Sequence, residues 1–142
     1  MLMADNHWLW SFDSEIPSEI VAGKQLIEQL LTRLAELQWP DHDVFSVHLA
    51  VEEAIANAIK HGNQDDPTKS VGVSIDVSRD KLRIRVVDRG CGFNLTDVPD
   101  PTADENLEVP SGRGIMLMRS FMNSVEFNDC GNCVTMWKER NP

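Results

Sequence analysis

A chain of 142 residues, 42% hydrophobic and 25% charged, is sized for one globular domain that buries roughly two thirds of its unfolded surface, which sets aside disorder and a two-domain layout. Its 13 Lys plus Arg against 23 Asp plus Glu leave a net charge of -10, which repels phosphate backbones and anionic lipid alike, so neither nucleic acid nor membrane is expected as a direct partner. No apolar run approaches the ~20 residues of a bilayer span, and Asp5 and Asn6 follow Met1-Leu2-Met3 without a signal-peptide core, so a cytoplasmic protein is expected.

Trp8, Trp10 and Phe12 alternate with Leu9 and Ser11, which places a first, half-buried strand near residues 7 to 13. Ser18 after Pro17 reads as an N-cap, and Ile20, Ile27, Leu30, Leu31, Leu34 and Leu37 recur at helical spacing up to Trp39-Pro40. A second helix begins around Asp41 to Asp43 and runs to Gly62, a residue suited to a left-handed C-terminal cap. The period then changes to two: Val71, Val73, Ile75 and Val77, then Leu82, Ile84 and Val86, form two strands joined by Ser78-Arg79-Asp80 into an antiparallel hairpin with one wet face.

Residues 94 to 111, broken by Pro99, Pro101 and Pro110, form a long loop of the kind that serves as a lid. A short helix spans Ile115 to Met122, with Met116, Met118, Phe121 and Met122 as core side chains, and a hairpin around Cys130 to Cys133 ends the order β-α-α-β-β-loop-α-β-β. Strands pairing as hairpins with helices grouped between them argue for an α/β two-layer sandwich: a mainly antiparallel mixed sheet with helices on one face.

Three cysteines are an odd count that suits a reducing compartment. Cys130-Gly131-Asn132-Cys133 has the C-x-x-C spacing, but a zinc site needs four ligands and Cys91 lies in a different motif, while strand-like flanks argue against a thioredoxin-type helix. The pair reads as a hairpin turn carrying two reduced thiols. His48 and Glu52, one turn apart, read as a surface pair, and His61 as a helix-end residue favourable to the dipole.

Three boxes carry chemistry. On the second helix Glu53, Asn57 and Lys60 fall on one stripe, amid Ala50, Ala54, Ala56 and Ala58, with Val44, Val47, Val51 and Ile55 near the opposite side. A carboxylate and an amide one turn apart supply a base and a neutral oxygen ligand for a hard cation. Asp88-Arg89-Gly90-Cys91-Gly92-Phe93 follows a strand, where a carboxylate can accept from an exocyclic amine while Gly90 and Gly92 let a flat base lie against backbone; an ordinary strand-end turn is the alternative. Ser111-Gly112-Arg113-Gly114 opens the helix at Ile115, where unpaired N–H groups and the helix dipole favour a phosphate and Arg113 can add a charge-assisted contact.

In this order the boxes resemble the GHKL superfamily of ATP-binding domains, most closely the bacterial anti-sigma-factor serine/threonine kinases. The resemblance covers about residues 8–139 of a single domain over 1–142, with residues 94–111 as its lid. It rests on Glu52-Glu53-Ala54-Ile55-Ala56-Asn57-Ala58-Ile59-Lys60-His61-Gly62-Asn63, on the Asp88 box, and on Gly112-Arg113-Gly114-Ile115-Met116-Leu117-Met118-Arg119. It implies the Bergerat ATP-binding fold and binding of ATP with Mg2+.

By the same resemblance Glu53 is the catalytic carboxylate that activates the attacking hydroxyl, and Asn57 is the magnesium ligand. Lys60, Asp88, Gly90, Gly92, Gly112, Arg113 and Gly114 complete the nucleotide site, with Asp88 receiving the adenine amine. The implied substrate is a serine or threonine on a STAS-type anti-anti-sigma protein, the other partner is a sigma factor, and dimerisation is common among relatives. The lid is acidic and Val109-Pro110 stand where some members carry a basic residue, leaving Arg113 as the phosphate cation. A nucleotide-binding partner-switch module without phosphoryl transfer is therefore the second reading. A histidine-kinase fragment is disfavoured, because residues 1 to 40 offer no phosphoacceptor histidine on a dimerisation helix.

Overall fold

A computed structural model describes residues 8–90 and 112–141, with the backbone alone for residues 112 and 113. The start of the expected first strand, Cys91, Gly92, Phe93, the 94–111 loop and Ser111 lie outside the described residues. The elements are β1 (Trp10–Pro17), α1 (Ile20–Glu36), α2 (Asp41–Asn57) continued by a π-helical turn over Ala58–Gly62, β2 (Ser70–Val77), β3 (Lys81–Val87), α3 (Gly112–Phe121), β4 (Ser124–Phe127) and β5 (Cys133–Glu139). Their order matches the sequence expectation, and the five strands form one sheet in the order β1-β2-β3-β5-β4. Every pairing is antiparallel, so the sheet is not mixed.

Alternation decides which face of each strand is covered. Ile16, Val71, Val73, Ile75, Val77, Leu82, Ile84, Val86, Val134 and Met136 point to the helices and are buried, meeting Leu26, Ile27, Leu30 and Leu34 of α1 and Val47, Val51, Ala54 and Ile55 of α2. The α1–α2 contact is close at Gly23, where a Cβ would fall 2.9 Å from Ile55 Cγ2. The other sheet face is polar: Arg83 pairs with Asp76 and lies 5.8 Å from the Trp8 ring and 5.6 Å from the Trp137 ring.

Several boundaries differ from expectation for identifiable reasons. β1 begins at Trp10 and continues to Pro17, because pairing with Ser70–Val77 persists past the point where Asp13, Ser14 and Glu15 end the apolar alternation. Ser18 is not the cap of α1; Glu19 precedes the helix, and the buried Ser18 hydroxyl accepts from Asn63 instead. Ile20 is exposed, so the buried stripe of α1 starts later than the spacing suggested.

α3 starts at Gly112, three residues before Ile115, because first-turn residues need no intrahelical donor bond and glycines can stand there. Met118 and Met122 are core as expected, whereas Met116 is exposed and Phe121 packs edge-on against Phe45. Gly62 is not a left-handed cap: positive φ occurs at Gln64 (53°) and Asp65 (58°) instead. No helix among the described residues is long and apolar enough to cross a membrane.

Candidate functional site

The site grows from the junction of α2 with the end of β3. Leu82, Ile84 and Val86 point to the helices, and Asp88 has the same parity, so its side chain continues inward past the last rung of β3. Its backbone N–H donates to the Asn132 carbonyl at 2.9 Å, which ties the end of β3 to the β4–β5 turn. Its Oδ1 accepts from the Gly90 N–H at 2.8 Å, and that is the one hydrogen bond its carboxylate takes among the described residues. Burial pushes the Asp88 carboxyl above the ordinary aspartate value, against the Gly90 N–H and the Lys69 charge, which both favour the ionised form.

Glycine is required here by proximity. A Cβ on Gly62 would stand 2.2 Å from Asp88 Cγ and Oδ2, and a Cβ on Gly90 would stand 1.8 Å from the Gly62 carbonyl oxygen. The π turn brings Gly62 to this place, its wider loop closed by the Asn63 N–H on Ala58 O at 2.8 Å and by the Asp65 N–H on Ile59 O at 2.8 Å. Sequence reading saw a helix cap at Gly62; the real constraint is contact with a residue 26 positions later, for which no local pattern exists.

Asp88 lies in a cleft with about 430 Å³ of empty space, reaching out to solvent. Ala54, Asn57, Ala58, His61 and Gly62 form the α2 wall, Met118 of α3 faces them, and Phe127, Asn132, Cys133 and Val134 close the hairpin side. The structure therefore brings Asn57 and Asp88 into one cleft, with Gly90 bonded to the Asp88 carboxylate. Glu53, half-buried one turn before Asn57, and Lys60, exposed, are not among its lining residues.

Gly114 is buried in the first turn of α3, and Met118, four residues on, lines the cleft, so that turn borders it. Gly112 opens the same turn; Gly92 and the Arg113 side chain lie outside the described residues. The C-x-x-C pair sits on a hairpin turn as expected, with Cys130 exposed and Cys133 buried, both unbridged. Arg85 Nε donates to Cys133 Sγ at 3.1 Å. His48 and Glu52 face each other at 3.7 Å on the surface, as expected.

Sequence reading missed the apolar half of the cleft, Met118, Phe127 and Val134, and the Asn132 carbonyl that anchors Asp88. Met118 is expected as a core side chain and Phe127 and Val134 lie in the strand-like flanks of the C-x-x-C turn; only the neighbouring gap, visible in three dimensions, makes them walls. Asn63 closes the helix box quoted from the sequence, but nothing local there marks its full burial.

Residues 17–138 match a family model described as the histidine kinase-like ATPase domain. The chain is 33% identical over 113 residues to the anti-sigma F factor of Clostridium perfringens, spanning 76% of this chain and 81% of that one. It is 34% identical over 105 residues to the serine-protein kinase RsbW of Bacillus licheniformis, spanning 68% of this chain and 64% of the other. A solved structure of the RsbU and RsbW domains of a Mycobacterium tuberculosis protein shares the fold, with a TM-score of 0.60 at 17% identity over 94% of this chain and 33% of that chain. With a family model matching most of its length and relatives of this coverage, the chain belongs to the histidine kinase-like ATPase domain family and is a homologue of its anti-sigma factor proteins.

Proposed function

We propose that this chain binds ATP with magnesium in the cleft between Asn57 and Asp88, phosphorylates a serine or threonine of a STAS-type anti-anti-sigma protein, and thereby controls a sigma factor by partner switching in the cytoplasm. The observation that carries the reading is Asp88: a buried carboxylate with a single donor among the described residues, kept clear by Gly62 and Gly90, at the base of a cleft with apolar walls. Such a group suits an exocyclic amine, while Met118, Phe127 and Val134 suit the faces of a flat base.

The residues present fit the nucleotide and its cation. Magnesium keeps several waters and takes few protein ligands beside substrate phosphates, so the Asn57 amide oxygen would hold it as a neutral ligand together with phosphate oxygens. Bound there, the cation supplies charge neutralisation on the phosphates. The start of α3, opened by Gly112, is where the phosphates would lie, because a helix N-terminus favours an anion, with Gly114 in the same turn, Arg113 as the candidate cation and Lys60 as a second. Glu53 would take the proton of the incoming hydroxyl as its oxygen bonds to the γ-phosphorus and the bond from that phosphorus to the β,γ-bridging oxygen breaks, releasing ADP.

A second reading, nucleotide binding and partner switching without phosphoryl transfer, is favoured by one observation: Glu53 stands outside the cleft lining. Two variants separate the readings. Glu53→Gln keeps shape but cannot accept a proton, so it retains ATP and partner binding while transfer falls by roughly 10²- to 10⁴-fold. Asn57→Ala loses magnesium-dependent ATP affinity first. A wild type that binds ATP and a copurified STAS-type protein yet transfers no phosphate, with Glu53→Gln indistinguishable from it, removes the kinase and leaves the binding module.

A further inference from the structure

Asn63 follows the glycine at the end of the π turn, a place where an exposed turn residue is the ordinary expectation, yet it is fully buried. Its amide nitrogen donates to Ser18 Oγ at 3.1 Å and to the Ser70 carbonyl at 3.0 Å. Its oxygen accepts the Arg89 backbone N–H at 2.7 Å. One side chain thus joins the approach to α1, the first residue of β2 and the residue after Asp88. A buried amide with both N–H groups and its oxygen engaged is a rigid strut.

The strut bears on the Asp88 carboxylate from two directions. The peptide before Asp88 is pinned by the Asn132 carbonyl at 2.9 Å, and the peptide after it is pinned by Asn63. Gly62, against which the carboxylate lies, is the covalent neighbour of Asn63. Asn63 itself is not among the residues lining the cleft.

We infer that Asn63 is a positioning residue for base selection: it sets the place of the Asp88 carboxylate so that the cleft separates a purine bearing a 6-amine from one bearing a 6-carbonyl. The inference rests on the proposed role of Asp88. Hydrogen bonds weaken steeply with distance and angle, whereas apolar and phosphate contacts tolerate small shifts. Releasing the strut therefore costs selectivity before it costs overall binding.

The test uses the full chain titrated with ATP and with inosine triphosphate, which carries a carbonyl in place of the 6-amine, both with magnesium. Wild type prefers ATP by at least about tenfold, the worth of a hydrogen bond to a charged group. Asn63→Ala narrows that preference to about threefold or less, through weaker ATP binding with inosine triphosphate binding retained. Ser18→Ala, which removes one acceptor and leaves Asn63 in place, narrows it less, and Ser18→Thr, which keeps the hydroxyl, restores it. Thermal melts and circular dichroism establish that each variant is folded.

If Asn63→Ala does not fold, the Ser18 pair decides, and an unchanged preference in Ser18→Ala overturns the inference. Equal proportional loss of both nucleotides in Asn63→Ala, or an unchanged ratio, also overturns it. A wild type that binds ATP and inosine triphosphate alike has a different meaning: it removes Asp88 from base recognition and overturns this inference with it.

Discussion

Asp43 and Asp88 are the two carboxylates buried among the described residues, one near each end of the run from α2 through its π turn, and their surroundings are opposite. Asp43 has both oxygens engaged: Asn141 donates its backbone N–H to Oδ2 at 2.9 Å and its amide to Oδ1 at 2.7 Å, while Lys138 Nζ stands 3.6 Å from Oδ1. Asp88 has one backbone donor among the described residues and faces a cleft. A carboxylate whose partners come from its own chain is a latch, here fixing the chain's C-terminal segment to the first turn of α2. A carboxylate with a single donor among the described residues, its neighbours reduced to glycine, has acceptor capacity left over, which the proposed function assigns to a nucleotide base.

Breaking the latch has the largest expected effect. Asp43→Ala leaves Lys138 without its buried counter-charge and should cost about 3–5 kcal/mol by chemical denaturation, with ATP affinity of the folded protein unchanged. A loss under about 1 kcal/mol would show that the latch does not hold the end of the sheet to α2. Gly62→Ala comes next: the added methyl occupies the space of the Asp88 carboxylate, so stability should fall by about 1–3 kcal/mol and ATP binding should fail in calorimetry. Retained ATP affinity in that variant would contradict the close approach.

Asp88→Asn should act in the opposite direction on stability. A carboxyl whose value is raised by folding leaves the fold at full strength below the ordinary aspartate value and weakens it as pH rises through the raised value. The amide carries no such cost, so the apo variant should melt above wild type at neutral pH, and the difference should vanish in acid. Melting curves across pH check the sign; a variant less stable than wild type at neutral pH would show that the carboxylate is satisfied after all. The smallest effect is at His48 and Glu52, both well exposed, where Glu52→Ala should change stability by no more than about 0.5 kcal/mol.

Much of this was legible in the sequence. The apolar alternation of Val71 to Val77 and Leu82 to Val86 located the central hairpin, and helical spacing located α1 and α2, because burial against a neighbour imposes a period on each element. Asn57 was legible as part of a polar stripe on the second helix, and Asp88 as a carboxylate just past a strand end. What escaped depends on single contacts between distant residues: Ser18 meeting Asn63, Gly62 meeting Asp88, and Asp43 meeting Asn141. Each is a pairwise event with no periodic trace, so Ser18 and Gly62 were read as the local caps that their residue types favour most.

Whether the Asp88 carboxylate selects adenine is read most directly by calorimetric titration of wild type and Asp88→Asn with ATP and GTP in magnesium. A carboxylate accepts from the amine of adenine and has nothing to donate to the carbonyl that guanine places there, so wild type should bind ATP clearly more tightly than GTP, and Asp88→Asn should lose most of that preference. Comparable wild-type affinities for the two nucleotides, or an Asp88→Asn variant that keeps the wild-type preference, would contradict it.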